Sequence, residues 1–236
     1  MKEREVYSGI GALSPLIVRL DGRSFHHFSK DQQFVRPFDE RFAEAMVRVT
    51  ADLFRDAGFA PEFGYTFSDE ISLLFFLLPF EGRIEKIDSV LASFAASSLT
   101  IHLGLTEPVA FDSRVIPVTP DHIIPYLVWR QNEAWRNHIN GWSQNLLMKE
   151  GFSAHDAAMR LNQVDSPGLH ELCFSRGVNL ARTPAWQRRG VLVYRSTREK
   201  EGYNPMNGET TLTFRQVVTI DRDLPLFHKP EGEELV

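Results

Sequence analysis

The stretch EFGYTFSDEISLLFFLL sets two strand-like apolar runs, 62–68 and 71–78, almost end to end, with Asp69 and Glu70 at the join. A link this short closes as an antiparallel hairpin, so both carboxylates lie at or beside its turn. Upstream, LIVRLD over 16–21 is a β-branched apolar run ending in charge. It reads as a central strand whose last residue, Asp21, reaches the surface.

Between these runs, Phe42, Ala45, Met46, Val49, Leu53 and Phe54 recur at helical spacing from Phe38 to Gly58, with Asp39 near the start and Gly58 placed to terminate. A second helical pattern covers Ile84 to about His102, and a fourth strand covers Val109 to Val118, ahead of Pro120. The order is β-α-β-β-α-β, an α+β, ferredoxin-like split arrangement whose first and third strands are antiparallel neighbours. The end of strand one then lies beside the start of strand three. Asp21 and Asp69 converge on one edge.

Beyond Pro120 come a long helical stretch, 121–150, and a helix start at Ser153 with Asp156 three residues on, a capping-box pattern. Strand-like segments 190–196 and 210–221 flank a polar Gly/Pro/Asn excursion that reads as a loop. We divide the chain into a catalytic core, 1–119, and a helical and β C-terminal region, 120–236. The lone cysteine, Cys173, permits no internal disulfide and reads as core. No apolar run is long enough to span a bilayer and MKEREVYSG lacks a signal-peptide core, so a cytoplasmic location and no membrane partner are expected. A net charge of −5 argues against coating nucleic acid by bulk positive charge. Arginines 176, 182, 188, 189, 195 and 198 fall in a stretch without acids, either an ordinary solvated face or a local basic patch.

Two carboxylates on a strand edge can hold two divalent cations that align a triphosphate with an attacking hydroxyl. Asp21 and Asp69 are the candidate metal ligands. Gly22 leaves room for backbone to approach phosphate or metal, Arg23 and His26 suit phosphate oxygens, and Ser68 can bond a phosphate from the hairpin. Taken singly, a DG near a strand end is more often a turn, and SDE a hairpin tip.

IVRLDGRSFHHFS, GYTFSDEISLLF, FDSRV and YLVWRQNEAWRN stand in the order and spacing of the tRNA-histidine-guanylyltransferase family, and the chain resembles it over roughly residues 5–196. The resemblance implies a polymerase-palm-like catalytic domain that adds nucleotides to tRNA in the 3′-to-5′ direction. The tRNA 5′ end is activated, then attacked by the 3′-hydroxyl of an incoming nucleoside triphosphate. It implies two Mg²⁺ ions on Asp21, Asp69 and the Gly22 carbonyl, with ATP and GTP or other triphosphates as substrates. It places the nucleotide on Asp21, Gly22, Arg23, Ser24, Phe25, His26, Ser68 and Asp69. Glu70 resembles a member of the catalytic carboxylate set, with a hairpin-tip salt bridge as the alternative. A dimer or tetramer is implied.

The eukaryotic members carry HINNLYN after WRQ. Counted without gaps from Trp129-Arg130-Gln131, the family histidine falls on Trp135, and Asn137 and His138 fall on the two asparagines. RNHINGW resembles instead the archaeal and bacterial "like" branch, which implies templated repair of 5′-truncated tRNA. The alternatives are single guanosine addition to histidine tRNA, a nucleotidyl cyclase, or a non-catalytic RNA-binding protein. Arg130 and Asn137 are seven apart and share a helix face. These two, with Arg182, Arg188 and Arg189, are the candidate tRNA contacts, whereas Trp129, Trp135 and Trp142 read as core or interface.

Overall fold

The computed structural model describes residues 4–55, 58–203, 206 and 210–236, with the side chains of His26, Tyr203 and Thr211 outside that description. The first half runs β1 (Leu16–Gly22), α1 (Phe25–Asp31), α2 (Glu40–Arg55), β2 (Phe63–Phe67), β3 (Glu70–Phe75), α3 (Ile84–Leu103) and β4 (Phe111–Pro117). The second runs α4 (Pro120–Lys149), α5 (Ala154–Leu161), α6 (Ser166–Ser175), α7 (Ala185–Arg189), β5 (Val191–Tyr203), β6 (Thr210–Asp221) and α8 (Pro230–Glu233).

The strands form one antiparallel sheet in the order β4-β1-β3-β2-β5-β6. β1 and β3 are antiparallel neighbours as expected, but β5 and β6 widen the sheet so that its central pair is β3 and β2. β2 and β3 read as continuous apolar runs because both faces of the sheet are covered. On one face Leu16, Val18 and Leu20 of β1 join Ile71, Leu73 and Phe75 of β3 beneath α2 and α3. On the other, Ile17, Tyr65, Phe67 and Leu74 pack with Ile123, Tyr126 and Leu127 of α4. Gly64 belongs to the first layer for a steric reason. A Cβ there would lie 2.6 Å from Thr50 Cγ2 and 3.1 Å from Phe54 Cε2, so its absence sets how closely α2 docks on β2.

The C-terminal half does not form a separate sheet. β5 extends the free edge of β2, pairing Phe63 with Tyr194 and Thr66 with Val191. The segment after β6 then folds back under the second layer, where Leu224 and Phe227 are fully buried. Gln131 clasps it, donating from Nε2 to the Pro225 carbonyl at 3.0 Å and accepting from the Phe227 N–H at 3.0 Å. A third cluster, Ile139, Leu169, Cys173 and Leu180 with Trp135 and Trp142, joins α4 to α6. Cys173 is buried there. Ser153 caps α5 as its spacing predicts, accepting from the Asp156 N–H at 3.1 Å.

Several expectations shift. The helix expected from Phe38 begins at Glu40, the strand expected over 71–78 ends at Phe75, and β5 runs past Ser196 to Tyr203, so the first half of the expected loop is strand, while 204, 205 and 207–209 lie outside the described residues. Helix α1 is absent from the sequence reading because GRSFHHF carries no helical period and its N-cap, Ser24, makes no side-chain cap bond. Among the described residues no helix is long and apolar enough to cross a membrane.

Candidate active site

Register brings three acids into one row. Asp112 of β4 stands opposite Asp21 of β1, and Asp21 opposite Glu70 of β3. Directly opposed residues share a sheet face, so all three carboxylates point to the α4 side. The next row inward on that face is Arg114, Arg19 and Ser72. Like charges side by side are unfavourable unless neutralised, and arginines meet them. Arg114 lies 3.3 Å from Asp112 and 4.0 Å from Asp21. Arg130, from α4, binds Glu70 through both carboxylate oxygens, Nε to Oε1 at 2.8 Å and Nη2 to Oε2 at 2.5 Å.

The hairpin turn fixes the fourth acid. Ser68 takes a left-handed φ of 51°, a conformation costing a non-glycine residue roughly 1–2 kcal/mol, and its hydroxyl donates to Asp69 Oδ1 at 3.0 Å. The Gly22 N–H donates to the Asp69 carbonyl at 3.1 Å, tying the end of β1 to the turn. Burial pushes the Asp69 carboxyl above its ordinary range, and the neighbouring Asp21 charge pushes the same way while the Ser68 hydroxyl opposes. Asp21 and Asp69 therefore come together as the topology predicts.

Other site expectations meet a different arrangement. The space Gly22 leaves is filled by the Phe25 ring, 2.4 Å from where a Cβ would stand. Phe25 itself is buried among Phe28, Phe42 and Phe111, so it presents only backbone to a ligand. Arg23 and Ser24 are exposed at the start of α1, and the side chain of His26 lies outside the described residues. Glu70 makes the salt bridge held open as its alternative: it is buried, and burial raises its carboxyl against the opposing charge of Arg130.

The anticipated tRNA face divides. Arg130 is buried and stacked 4.4 Å from Trp129, its guanidinium taken by Glu70, so it does not share an open face with Asn137. Arg189 donates to the Leu224 carbonyl at 2.7 Å, Arg188 Nε to the Thr183 carbonyl at 3.0 Å, and Arg195 to the Phe54 carbonyl at 2.6 Å. These arginines hold backbone. Arg182 is exposed. Asn137 lines a cavity of about 270 Å³ with Phe34, Phe38, Phe42, Ser68 and Asn145, whose buried Nδ2 has no hydrogen-bond partner among the described residues. Trp129, read as core or interface, is 47% exposed.

Residues 1–119 match the family described as Thg1, tRNAHis guanylyltransferase. A probable tRNA(His) guanylyltransferase of Dictyostelium discoideum is 31% identical over 212 residues, covering 84% of this chain and 80% of that protein. The chain belongs to the Thg1 family. A second probable tRNA(His) guanylyltransferase, from Drosophila melanogaster, is 30% identical over 76% of this chain and 66% of its own length. Among solved structures, a bacterial Thg1-like protein in complex with ATP superposes with a TM-score of 0.74 at 25% identity, covering 98% of this chain and 93% of that one. As a Thg1-family chain this is a nucleotidyltransferase of tRNA processing. Asp112, Arg19 and Arg114 join the site only through strand register, which the sequence does not display. The cavity beside Ser68 has one signal in the sequence, the close spacing of Phe34, Phe38 and Phe42.

Proposed function

We propose that this Thg1-family chain adds a guanylate to the 5′ end of histidine tRNA. The observation that carries this reading is the meeting of Asp21 and Asp69 at the β1 end, beside a cavity that Ser68 helps to line. The β4-β1-β3-β2 strand order supports a ferredoxin-like, palm-like catalytic core over 1–119, with 120–236 contributing tRNA contacts.

The donor set suits Mg²⁺. Among the described residues no group of three or more His, Cys, Asp or Glu gathers as a metal cage. Mg²⁺ characteristically takes one or two carboxylates and completes its shell with water and substrate phosphates. Crowding between Asp21 and Asp69 is relieved by cations. In this reading Asp21, Asp69 and the Gly22 carbonyl hold two Mg²⁺ ions, which supply charge neutralisation along the triphosphate. The chain's own groups do the rest. Ser68 and Arg23 bond phosphate oxygens, and the phenylalanine-lined cavity takes the base of one nucleoside triphosphate. Arg130, by fixing Glu70, keeps the hairpin in register so that Asp69 faces Asp21. The 3′-hydroxyl of the incoming nucleotide then attacks the activated 5′-phosphorus; a new P–O bond forms as the bond to the activating group breaks.

Relatives named tRNA(His) guanylyltransferase favour single guanylate addition over repair. One observation supports templated repair of truncated tRNA as the second reading. The position of the family histidine is the half-buried Trp135, and His138 of the HIN triplet is fully buried against Phe38. The deciding experiment measures Mg²⁺-dependent incorporation of labelled nucleotides into intact histidine tRNA and into tRNA lacking its first 5′ residue. Guanylate on the first alone upholds the proposal. Incorporation directed by the opposing strand on the second replaces it with repair, and incorporation into neither overturns both. Assembly into a dimer or tetramer belongs to the same reading and is read by sedimentation.

A further inference from the structure

On the α4 side of the sheet, Trp129 forms a wall of a recess of about 500 Å³ completed by Pro117, Val118, His122, Pro125 and Tyr126. This recess shares no lining residue with the phenylalanine-lined cavity. His122, Pro125 and Trp129 are all exposed and fall on one stripe of α4, at i, i+3 and i+7. The recess thus presents an aromatic wall and two prolines, a surface that takes a flat ring. One cation stands beside its aromatic wall, and a second lies across the strand pair from the first. The Arg19 guanidinium lies 5.5 Å from the Trp129 ring, and its buried Nε has no hydrogen-bond partner among the described residues. Arg114, opposite Arg19, has a half-exposed side chain. Arg19 precedes Asp21 by two residues on the same face, about 7 Å along the strand.

An exposed aromatic ring with guanidinium groups beside it is the arrangement that stacks an unpaired base and meets its phosphates. We infer that this recess binds one unstacked nucleotide at the acceptor end of the tRNA, with the base on Trp129 and phosphate on Arg19 and Arg114. The inference rests on the tRNA reading proposed above. It gives each side of the carboxylate row its own ligand: the triphosphate in the cavity beside Ser68, the RNA end against Trp129. Pairing with Asp112 and Asp21 competes with phosphate for the Arg114 guanidinium.

The test uses the full chain with 5′-phosphorylated tRNA, comparing wild type with Trp129→Ala, Trp129→Phe, His122→Glu and Arg114→Ala. Trp129→Ala is expected to raise KM for tRNA about 10-fold with ATP affinity unchanged, and Trp129→Phe to keep most of the affinity. His122→Glu, two turns away on the same stripe and clear of Arg130, is expected to weaken tRNA by a similar factor. Arg114→Ala is expected to reduce the salt dependence of tRNA binding by about one phosphate contact. If wild type incorporates nucleotide while Trp129→Ala and His122→Glu bind tRNA as it does, the recess takes no part of the RNA and the inference is overturned with the proposed function intact. If wild type incorporates nothing into any tRNA, the proposed function fails. The same comparison of tRNA affinities then decides the recess alone.

Discussion

Asp21 stands directly opposite Glu70 across the β1–β3 ladder, yet the two carboxylates have different surroundings. Glu70 is sealed beneath Arg130, with both side chains 9% exposed. The Asp21 side chain is 38% exposed, and Arg114 approaches it no closer than 4.0 Å. One acid of the pair is fixed and the other is open.

In the proposed mechanism the open acid carries the chemistry. Asp21→Asn or Asp69→Asn is expected to lower Mg²⁺-dependent incorporation at least about 10²-fold, by analogy with losing one transition-state charge stabiliser. Single-turnover rates at saturating Mg²⁺ check it. A wild-type rate in either variant removes the proposed metal ligand.

The fixed acid carries stability. Arg130→Met strands a buried carboxylate, and breaking such a pair from one side costs about 3–5 kcal/mol. Adding Glu70→Leu is expected to restore most of that loss in denaturant unfolding. If Glu70→Gln instead abolishes turnover at full stability, Glu70 acts in the chemistry rather than through Arg130.

How far the sequence carried follows from which features are local. The hairpin, its carboxylates and the pairing of β1 with β3 were readable because apolar runs, turn chemistry and topology allow few alternatives. Helix α1 was not, since its phenylalanines cluster around Phe42 and Phe111 from other elements instead of marking a face of their own helix. Arg130 reads from spacing as part of a wet stripe, and only its contact with Glu70, sixty residues away, shows why a charged side chain is buried there. Arg189 is similar: its partner is the carbonyl of Leu224, beyond the last long strand. The pairing of β5 with β2 has no signature in either strand alone.

Asp69 makes the site pH-sensitive. Burial raises its carboxyl, so the folded chain holds that proton more tightly than the unfolded one. This contribution to stability is fully present below the ordinary value of 3.8 and is lost as pH rises through the raised folded value. A metal ion held by Asp69 as proposed must displace the proton. Melting temperature measured with and without Mg²⁺ from pH 4 to 8 is expected to show stabilisation by Mg²⁺ growing with pH. A Mg²⁺ effect independent of pH, or unchanged in Asp69→Asn, contradicts this.

His138 gives the opposite slope. Burial, then the nearby Arg188 charge, lowers its pKa to about 4 from 6.5. Its contribution is complete above 6.5 and is lost as pH falls from there to about 4, a span worth up to about 3 kcal/mol. His138→Gln is expected to flatten the acid limb of the stability curve between those values. An unchanged limb would mean that the imidazole is not held neutral.

Gly64→Ala tests the docking of α2. The added methyl meets Thr50 and Phe54, and overpacking of this kind costs about 1–3 kcal/mol. Thr50→Ala in the same chain is expected to recover part of the loss, read by denaturant midpoint. Equal stability of Gly64→Ala and wild type would show that β2 and α2 separate freely.

Gln131 clasps Pro225 and Phe227 one residue along α4 from the arginine that holds Glu70. On the ribosome this makes the layer beneath the carboxylate strands depend on residues 224–227, which are made long after the hairpin. Until Leu224 and Phe227 have emerged, Tyr65, Phe67 and Leu127 have no lid, and a stalled or shortened chain leaves that underside bare. Such an intermediate is a substrate for chaperones or for aggregation. The hairpin bearing Asp69 is made early in synthesis, and the support beneath it is completed late.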